Sequence, residues 1–263
     1  MSDELNGRVS LVTGGSGGLG ADIARELASR GSDVILVARS EDALRENAAE
    51  LQSKHEVTAD VIPMDLARRE APEELTEAVD DLGRQVDILV NNAGFGIFGE
   101  FLETDWDDQR GLLELDICTP VHLSHIFARR MIERGWGRLM QVASIGAYQP
   151  APTYATYSAA KAFLWSWGEA FAYELEETGV SNTVVCPGVT ETGFFERAGQ
   201  NKTLFQKTAM MDSPTVAGIG VRAMLKEKLN VIPGLLNAVT FRFSQLLPDR
   251  LRLWAAYQSM KNE

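Results

Sequence analysis

Tyr157 and Lys161 are four positions apart, in the run Tyr157-Ser158-Ala159-Ala160-Lys161. On an α-helix residues at that spacing stand one above the other, which sets the ammonium beside the phenol. A free tyrosine ionises near pH ~10. A cation about 5 Å away, at an effective dielectric of ~20, favours the phenolate by about 3 kcal/mol, or roughly 2 pKa units. Such a phenol becomes a usable proton donor and acceptor near neutrality. Ser144, thirteen positions before Tyr157, ends the run Leu139-Met140-Gln141-Val142-Ala143, which has the character of a buried strand. Open α/β sheets carry reactive groups beyond such strand ends, so Ser144 joins Tyr157 and Lys161 as a candidate for one site. Tyr154 is an internal control. It lies seven residues before Lys161, about 10.5 Å along a helix, so one ammonium cannot serve both phenols. Tyr154 and Tyr148 are therefore assigned to pocket wall or packing.

These groups need a scaffold, and the chain supplies an alternation of strands and helices. Arg8 to Val12 is a β-rich run, Thr13-Gly14-Gly15-Ser16-Gly17-Gly18-Leu19-Gly20 is a glycine-rich turn, and Ala21 to Leu27 has helical apolar spacing. A strand, a phosphate-cradling turn and a helix give Gly14, Gly18 and Gly20 specific tasks: positive φ, close approach of backbone to a pyrophosphate, and tight helix-on-strand contact. Ser16 and Leu19 are placed with them as cofactor-binding residues. The second strand, Asp33 to Ala38, ends about 20 residues after the turn, where a dinucleotide fold meets the adenosine ribose. An acid there would bond the 2′-hydroxyl of NAD. Ala38 followed by Arg39 instead suits a 2′-phosphate, bound through a planar charge-assisted fork, so the expected cofactor is NADP(H). A solvated arginine leading the next helix is the plainer reading of Arg39.

Helix-patterned Glu41 to Lys54, strand Val57 to Met64, helical Pro72 to Leu82 and strand Val86 to Val90 continue the alternation, which predicts a parallel, doubly wound sheet with helices on both faces. Asp65-Leu66 follows the third strand, where the carboxylate either accepts from the adenine amino group or caps a helix. Length and the absence of a Pro/Gly/Ser-rich linker favour one domain over residues 1–263. A net charge of -12 argues against nucleic acid as a partner. Cys118 and Cys186, both in apolar segments that read as buried, are too few for a disulfide framework and fit a reduced cytoplasm. The start has no basic region leading an apolar stretch, and no run of about 18 apolar residues occurs, so neither export nor a membrane span is indicated.

Taken together, the Thr13 to Gly20 turn, Asp65, Asn91-Asn92-Ala93-Gly94, Ser144, Tyr157-x-x-x-Lys161 and Pro187-Gly188-Val189-Thr190-Glu191-Thr192 fall in an order and spacing that resemble the short-chain dehydrogenase/reductase family over nearly the whole chain. Ala143-Ser144, Tyr148-Gln149-Pro150 and Val231-Ile232-Pro233-Gly234-Leu235-Leu236-Asn237 resemble a bacterial branch of varied substrate specificity. The resemblance implies a Rossmann sheet of about seven strands, a homodimer or homotetramer, and carbonyl reduction or alcohol oxidation with a nicotinamide cofactor. It also implies roles. Ser144 would hold the substrate oxygen, and Tyr157 would pass the proton. Lys161 would lower the tyrosine pKa and bond the nicotinamide ribose. Asn91 would brace the cleft, while Asn92, Ala93, Gly94, Leu66, Pro187, Gly188, Thr190 and Thr192 would line the cofactor.

One position departs from that family. In Leu113-Glu114-Leu115-Asp116-Ile117-Cys118-Thr119 the usual asparagine, which helps hold a water linked to the lysine, is Asp116. An ionised carboxylate beside Lys161 would offset part of the cation's pull and raise the tyrosine pKa again. The expectation is an active enzyme with an altered pH optimum.

The stretch from Trp106 to Arg134 reads as one helix, with His122 and His125 in packing roles because no further ligand completes a metal set. Ala155 to Glu177 is apolar on more than one face, which suggests a subunit contact. Residues 193–213, with Phe194, Phe195, Leu204, Phe205, Met210 and Met211, read as a substrate lid. Phe95, Ile97, Phe98, Phe101 and Tyr148 are candidates for the opposite wall, pointing to a hydrophobic or aromatic carbonyl or alcohol; core packing is the alternative for each. Residues 234–263 form a helical extension. From Lys226 onward six basic residues face three acids, and the apolar spacing there suits contact with a neighbouring subunit or the pocket mouth better than a peripheral membrane contact. A nucleotide-sensing regulator on the same fold is the alternative to an enzyme, but it has no need of an activated phenol.

Overall fold

Runs of β-branched and aliphatic residues form strands covered on both sides. They are β1 (Val9–Thr13), β2 (Asp33–Ala38), β3 (Ala59–Pro63), β4 (Ile88–Asn91), β5 (Gly137–Val142), β6 (Val180–Val185) and β7 (Asn230–Val231). A computed structural model describes residues 4–200, 210–244 and 246–260. All strand pairs are parallel, and the sheet order is β3-β2-β1-β4-β5-β6-β7. Successive strands run outward from β1 in one direction and then, from β4, in the other. The strand order therefore reverses between β1 and β4, and a crevice opens beyond their carboxyl ends.

Helices α1 (Gly18–Ala28), α2 (Glu41–His55) and α8 (Ser213–Leu225) cover one face; α3 (Ala71–Asp81) and α5 (Thr119–Glu133) cover the other. Each presents an apolar stripe at helical spacing, such as Leu44, Ala48 and Leu51 on α2. The helix expected over Trp106 to Arg134 is interrupted. It comprises α4 (Trp106–Leu113), one π-helical turn (Glu114–Cys118) and then α5. The wider turn carries Asp116 inward to 1% exposure while Cys118 stays exposed, which corrects the expectation that both cysteines are buried. Cys186 is buried at the end of β6.

Helix α6 (Ala155–Glu174) buries Ser158, Ala160, Lys161, Leu164 and Gly168 but leaves Phe163 and Tyr173 exposed, so within this chain it is covered on one side only. It lies close on β6 at Gly168, whose carbonyl accepts from Asn182 Nδ2 at 2.8 Å. The tail consists of two helices, α9 (Leu235–Ser244) and α10 (Asp249–Met260), with Pro248 just before the second. Of the expected lid, residues 201–209, including Leu204 and Phe205, lie outside the described residues. Phe194–Arg197 form one helical turn, α7. Met211 is stitched to the loop after β6, donating to the Val189 carbonyl at 2.9 Å. No helix among the described residues is long and apolar enough to cross a membrane.

A Cβ at Gly168 would lie 2.6 Å from Val184 Cγ2. Gly168→Ala is therefore expected to destabilise the protein by about 1–3 kcal/mol through overpacking, although alanine is the better helix former. Urea unfolding of the two proteins measures the difference, and equal midpoints would refute the tight α6–β6 contact.

Candidate active site

The ends of β1, β4, β5 and β6 bring the sequence-distant candidates into one cleft. At its cofactor end the glycine turn rests on β2, because the Gly14 and Gly15 N–H groups donate to the Val37 carbonyl at 2.8 and 3.2 Å. Thr13 stitches the turn to the loop after β4. Its hydroxyl accepts from the Asn92 and Ala93 N–H groups at 2.9 and 3.0 Å and donates to the Val90 carbonyl at 3.2 Å. Asn92 Nδ2 donates to the Thr13 carbonyl at 2.9 Å, so this side chain ties loop to loop. Gly14 has φ +72°, and a Cβ on Gly20 would meet the Gly14 carbonyl oxygen at 2.3 Å and Asn92 Nδ2 at 2.5 Å. Side chains here would fill the cradle. Gly17 at the N-cap of α1 provides no side-chain bond to the first helical turn, whose N–H groups face the cleft as an anion site.

Gly14, Gly18, Leu19, Gly20, Asn92, Ala93, Gly94, Pro187, Gly188, Thr190 and Thr192 all border the cleft, as the sequence reading placed them. Ser16, Arg39, Asp65 and Leu66 do not border its deep part. Arg39 is exposed just past the end of β2, two residues beyond the carbonyl that anchors the glycine turn, and has no hydrogen-bond or ion-pair partner among the described residues. Asp65 accepts from the Ala67 N–H at 3.1 Å, a local turn, and the Leu66 side chain is buried in the core. Leu66 can offer a ligand only its backbone, and its carbonyl already accepts from Thr119 Oγ1 at 2.7 Å.

Asn91 lies beneath the cleft. Its Nδ2 reaches the Pro120 carbonyl, Ser124 Oγ and Gln141 Oε1 at 3.0–3.2 Å, and Gln141 passes the network on to Asn182. This buried polar layer joins β4, β5, β6 and α5, which is the bracing expected of Asn91. Gln141 and Asn182 are polar residues inside apolar strands, a signal that Ser124, on α5, does not share.

At the reacting end, Tyr157, Ser144 and Lys161 line the same wall. Ser144 caps a short 3-10 turn (Ile145–Tyr148), its Oγ accepting from the Gly146 N–H at 3.1 Å, and its hydroxyl lies beside the Tyr157 phenol. Lys161 is 4% exposed. Its Nζ donates to the Val142 carbonyl at 3.2 Å and stands 5.7 Å from the centre of the Tyr157 ring. Asp116 Oδ2 is 3.0 Å from Nζ, an ionic contact without the alignment of a hydrogen bond, and Oδ1 accepts from the Phe95 N–H at 3.3 Å. Gly94 makes room for this pair: a Cβ there would lie 2.7 Å from Asp116 Oδ1 and 3.1 Å from Nζ.

Burial pushes the Asp116 carboxyl up from the ordinary carboxylate range, and Lys161 opposes that shift. Burial, then the Asp116 charge, push the Tyr157 phenol above its ordinary value, while the nearby Ser144 hydroxyl pulls the other way. This is opposite in direction to the shift expected from Lys161 alone. Desolvation and the Asp116 charge set the direction of the shift, so the phenol holds its proton firmly.

Phe95, Tyr154 and Phe194 line the remaining space, and Met260, from the end of α10, closes it. Phe98 backs Tyr154 at 5.5 Å between ring centres. Phe101 is 51% exposed, and Tyr148 turns away to pack on Trp165 at 4.7 Å, so neither is a wall of this cleft. Gln200 and Met260, absent from the sequence-derived set, sit in irregular or tail segments that carry no spacing signal. His122 lies 3.6 Å from Glu73, and no metal-holding cluster occurs among the described residues.

Comparison with known proteins gives a consistent set of likenesses. The short chain dehydrogenase family pattern matches residues 8–203. The ketoacyl reductase HetN of a Nostoc species is 31% identical over 245 residues, covering 92% of this chain and 84% of the relative. A short-chain dehydrogenase from Sphingobium yanoikuyae, solved with NADPH, is 27% identical with a TM-score of 0.81, covering 91% of this chain and 94% of that one. A bulky-bulky ketone specific alcohol dehydrogenase from Comamonas testosteroni is 28% identical with a TM-score of 0.77, covering 94% and 92%.

The buried Asp116–Lys161 pair has a measurable stability consequence. Lys161→Ala leaves a carboxylate without its counter-ion in a dry site, and a loss of about 3–5 kcal/mol is expected at neutral pH. Because burial raises the folded-state Asp116 pKa above its unfolded value, that loss should shrink as the pH falls and the carboxyl takes a proton. Adding Asp116→Asn should remove the pH dependence. Denaturant titrations across pH check this, and a pH-independent loss in Lys161→Ala would contradict it.

Proposed function

The chain belongs to the short-chain dehydrogenase/reductase family, an oxidoreductase family, and from that premise we propose that it interconverts a carbonyl and an alcohol on a hydrophobic or aromatic small molecule with NADP(H). The observation that carries this reading is the convergence of Ser144, Tyr157 and Lys161 on one wall of a cleft whose other end is a glycine cradle. The cradle fits a dinucleotide: Gly14, Gly18 and Gly20 leave no side chain in it, and the free N-terminus of α1 suits a pyrophosphate. Arg39, exposed beside that cradle, suits a 2′-phosphate through charge-assisted bonds. When bound, NADP(H) gives or takes the hydride.

The chain's own residues do the rest. Ser144 Oγ holds the substrate oxygen, and Tyr157 donates a proton to that oxygen in reduction or removes it in oxidation. Lys161 places a fixed positive charge behind the phenol, and Asp116 takes up part of it. Thr190, Thr192 and the loop after β4 position the cofactor end. The apolar side chains Phe95, Tyr154 and Phe194 exclude water from the reacting atoms. The exposed Leu235, Leu246 and Trp254 offer a contact face for a second copy in a dimer or tetramer. Residues 193–213 are assigned as the lid and 234–263 as the extension of a single catalytic domain.

Three measurements test the proposal. A panel of hydrophobic ketones with NADPH should give turnover that Tyr157→Phe abolishes while cofactor binding survives; a variant with native turnover would rule out the assigned proton donor. Arg39→Ala should raise KM for NADPH roughly tenfold or more and leave NADH unaffected, as loss of charge-assisted bonds requires. Native protein that uses NADH equally well would refute the role of Arg39.

The third concerns pH. Reduction needs the protonated phenol and oxidation the phenolate. With the Tyr157 pKa raised, reduction should persist into the alkaline range and oxidation should climb there. Asp116→Asn removes one cause of the rise and should move both profiles to lower pH. Superimposable profiles would dispose of the Asp116 effect.

A further inference from the structure

Gln200 sits where the last helix meets the ring that flanks Tyr157. It is 4% exposed, and both ends of its amide are engaged. Oε1 accepts from the Tyr154 hydroxyl at 2.8 Å, and Nε2 donates to the Met260 carbonyl at 2.5 Å. Tyr154 stands edge-on to Tyr157 with 5.9 Å between ring centres. Two backbone bonds bring in the loop after β4: the Phe98 N–H donates to the Ala198 carbonyl at 3.2 Å, and the Gly99 N–H to the Thr153 carbonyl at 3.0 Å. A Cβ at Gly96 would lie 2.6 Å from Phe194 and 2.9 Å from Tyr154, so these segments are in close contact.

Helix α10 is largely exposed among the described residues. Leu251, Trp254 and Tyr257 are exposed, and Ala256 is the one described residue of that helix that is buried. Its end is nevertheless placed so that Met260 lines the cleft and packs against the Tyr154 cluster. Removing the Gln200 amide would leave a phenol and a carbonyl without partners in apolar surroundings, which favours release of the helix end. Lys161 is the only charged side chain among the described residues lining the cleft, and Asp116 already pairs with it. The wall that Gln200 assembles from Tyr154, Met260 and the adjoining Phe194 therefore suits a bulky uncharged group, not a carboxylate or phosphate.

We propose that Gln200 is a positioning residue that sets substrate size: by holding Tyr154 and Met260 it makes the C-terminal helix a wall of the cleft, fitted to a ketone or secondary alcohol with a bulky, neutral, apolar substituent. This rests on the carbonyl–alcohol reading above. Loss of the clamp weakens binding of the bulky group and leaves the proton and hydride chemistry in place.

Steady-state kinetics with NADPH on propiophenone and on acetone, for native protein and Gln200→Ala, test the idea, with hydrogen exchange followed in Asp249–Met260. For the variant, KM for propiophenone should rise about tenfold, the value of one lost buried hydrogen bond. Its kcat, and KM for acetone, should stay within about twofold, below the effect of one such bond, and exchange in the last helix should accelerate. Gln200→Glu keeps an acceptor for Tyr154 but has no donor for Met260, so its exchange should accelerate likewise.

Equal losses on both ketones, or unchanged KM and exchange, would overturn the proposal. If Gln200→Ala does not fold, Met260→Ala shortens the same wall; a rise in KM for propiophenone alone supports the proposal and an unchanged KM overturns it. Native protein that reduces no ketone at all would instead refute the reaction and the size selection with it, and the exchange data would then judge the clamp alone.

Discussion

An ammonium has to be kept charged where almost no water reaches it, and the architecture of the site follows from that requirement. Lys161 Nζ is held by the Val142 carbonyl at the end of β5 and by Asp116 from the π-helical turn. An ion in such a place costs several kcal/mol unless it is paired and its donors are used. Three features supply the geometry. The π turn carries a carboxylate inward, to 1% exposure. Gly94 leaves space where any side chain would collide with the pair. Gly168 lets α6 come close enough to β6 that Lys161, two turns earlier on the same helix, reaches the end of β5.

The pairing also decides how the neighbouring phenol behaves. A lone lysine would pull Tyr157 toward ionisation, but a lysine neutralised within 3.0 Å presents a dipole whose field falls off faster than that of a charge. Burial then dominates, and Tyr157 remains a protonated donor beside Ser144. A phenol in that state is suited to handing a proton to an oxygen that is gaining negative charge, as in carbonyl reduction. In the proposed reaction, the departure of Asp116 from the family's asparagine would act on pH range more than on the identity of the reaction.

Much of this was legible in the sequence because it depends on local spacing. The strand–turn–helix at Thr13 to Gly20, the four-residue step from Tyr157 to Lys161 and the placement of Ser144 at a strand end are all rules of backbone geometry. Asp116 was legible as a neighbour of Lys161 only through the family resemblance, and its effect on the phenol had the right sign. What the spacing missed were quantities set by three-dimensional burial. The net direction of the Tyr157 shift depends on desolvation, which no one-dimensional pattern records. The break in the Trp106 to Arg134 helix inserts one wide turn between Gly111 and Pro120, neither of which lies within it, and the apolar spacing does not show it. Tyr148 and Phe101 have the composition of pocket residues but turn to Trp165 and to solvent. Leu66 is apolar at the right strand end, yet its side chain serves the core.

The C-terminal region shows why polar contacts can matter more than apolar ones at a cleft. From Lys226 onward the chain carries a charge of +3, against -15 for the residues before it, from six basic and three acidic groups out of 25 and 37. General attraction between tail and body follows from that asymmetry, but it is non-directional and screened beyond about 8–10 Å. Apolar contact is equally undirected, and α10 leaves most of its large side chains exposed. Placing Met260 at the cleft requires an interaction with fixed distance and angle. A buried amide that accepts from Tyr154 at one end and donates to Met260 at the other meets that requirement, because its planar geometry fixes the two partners relative to each other.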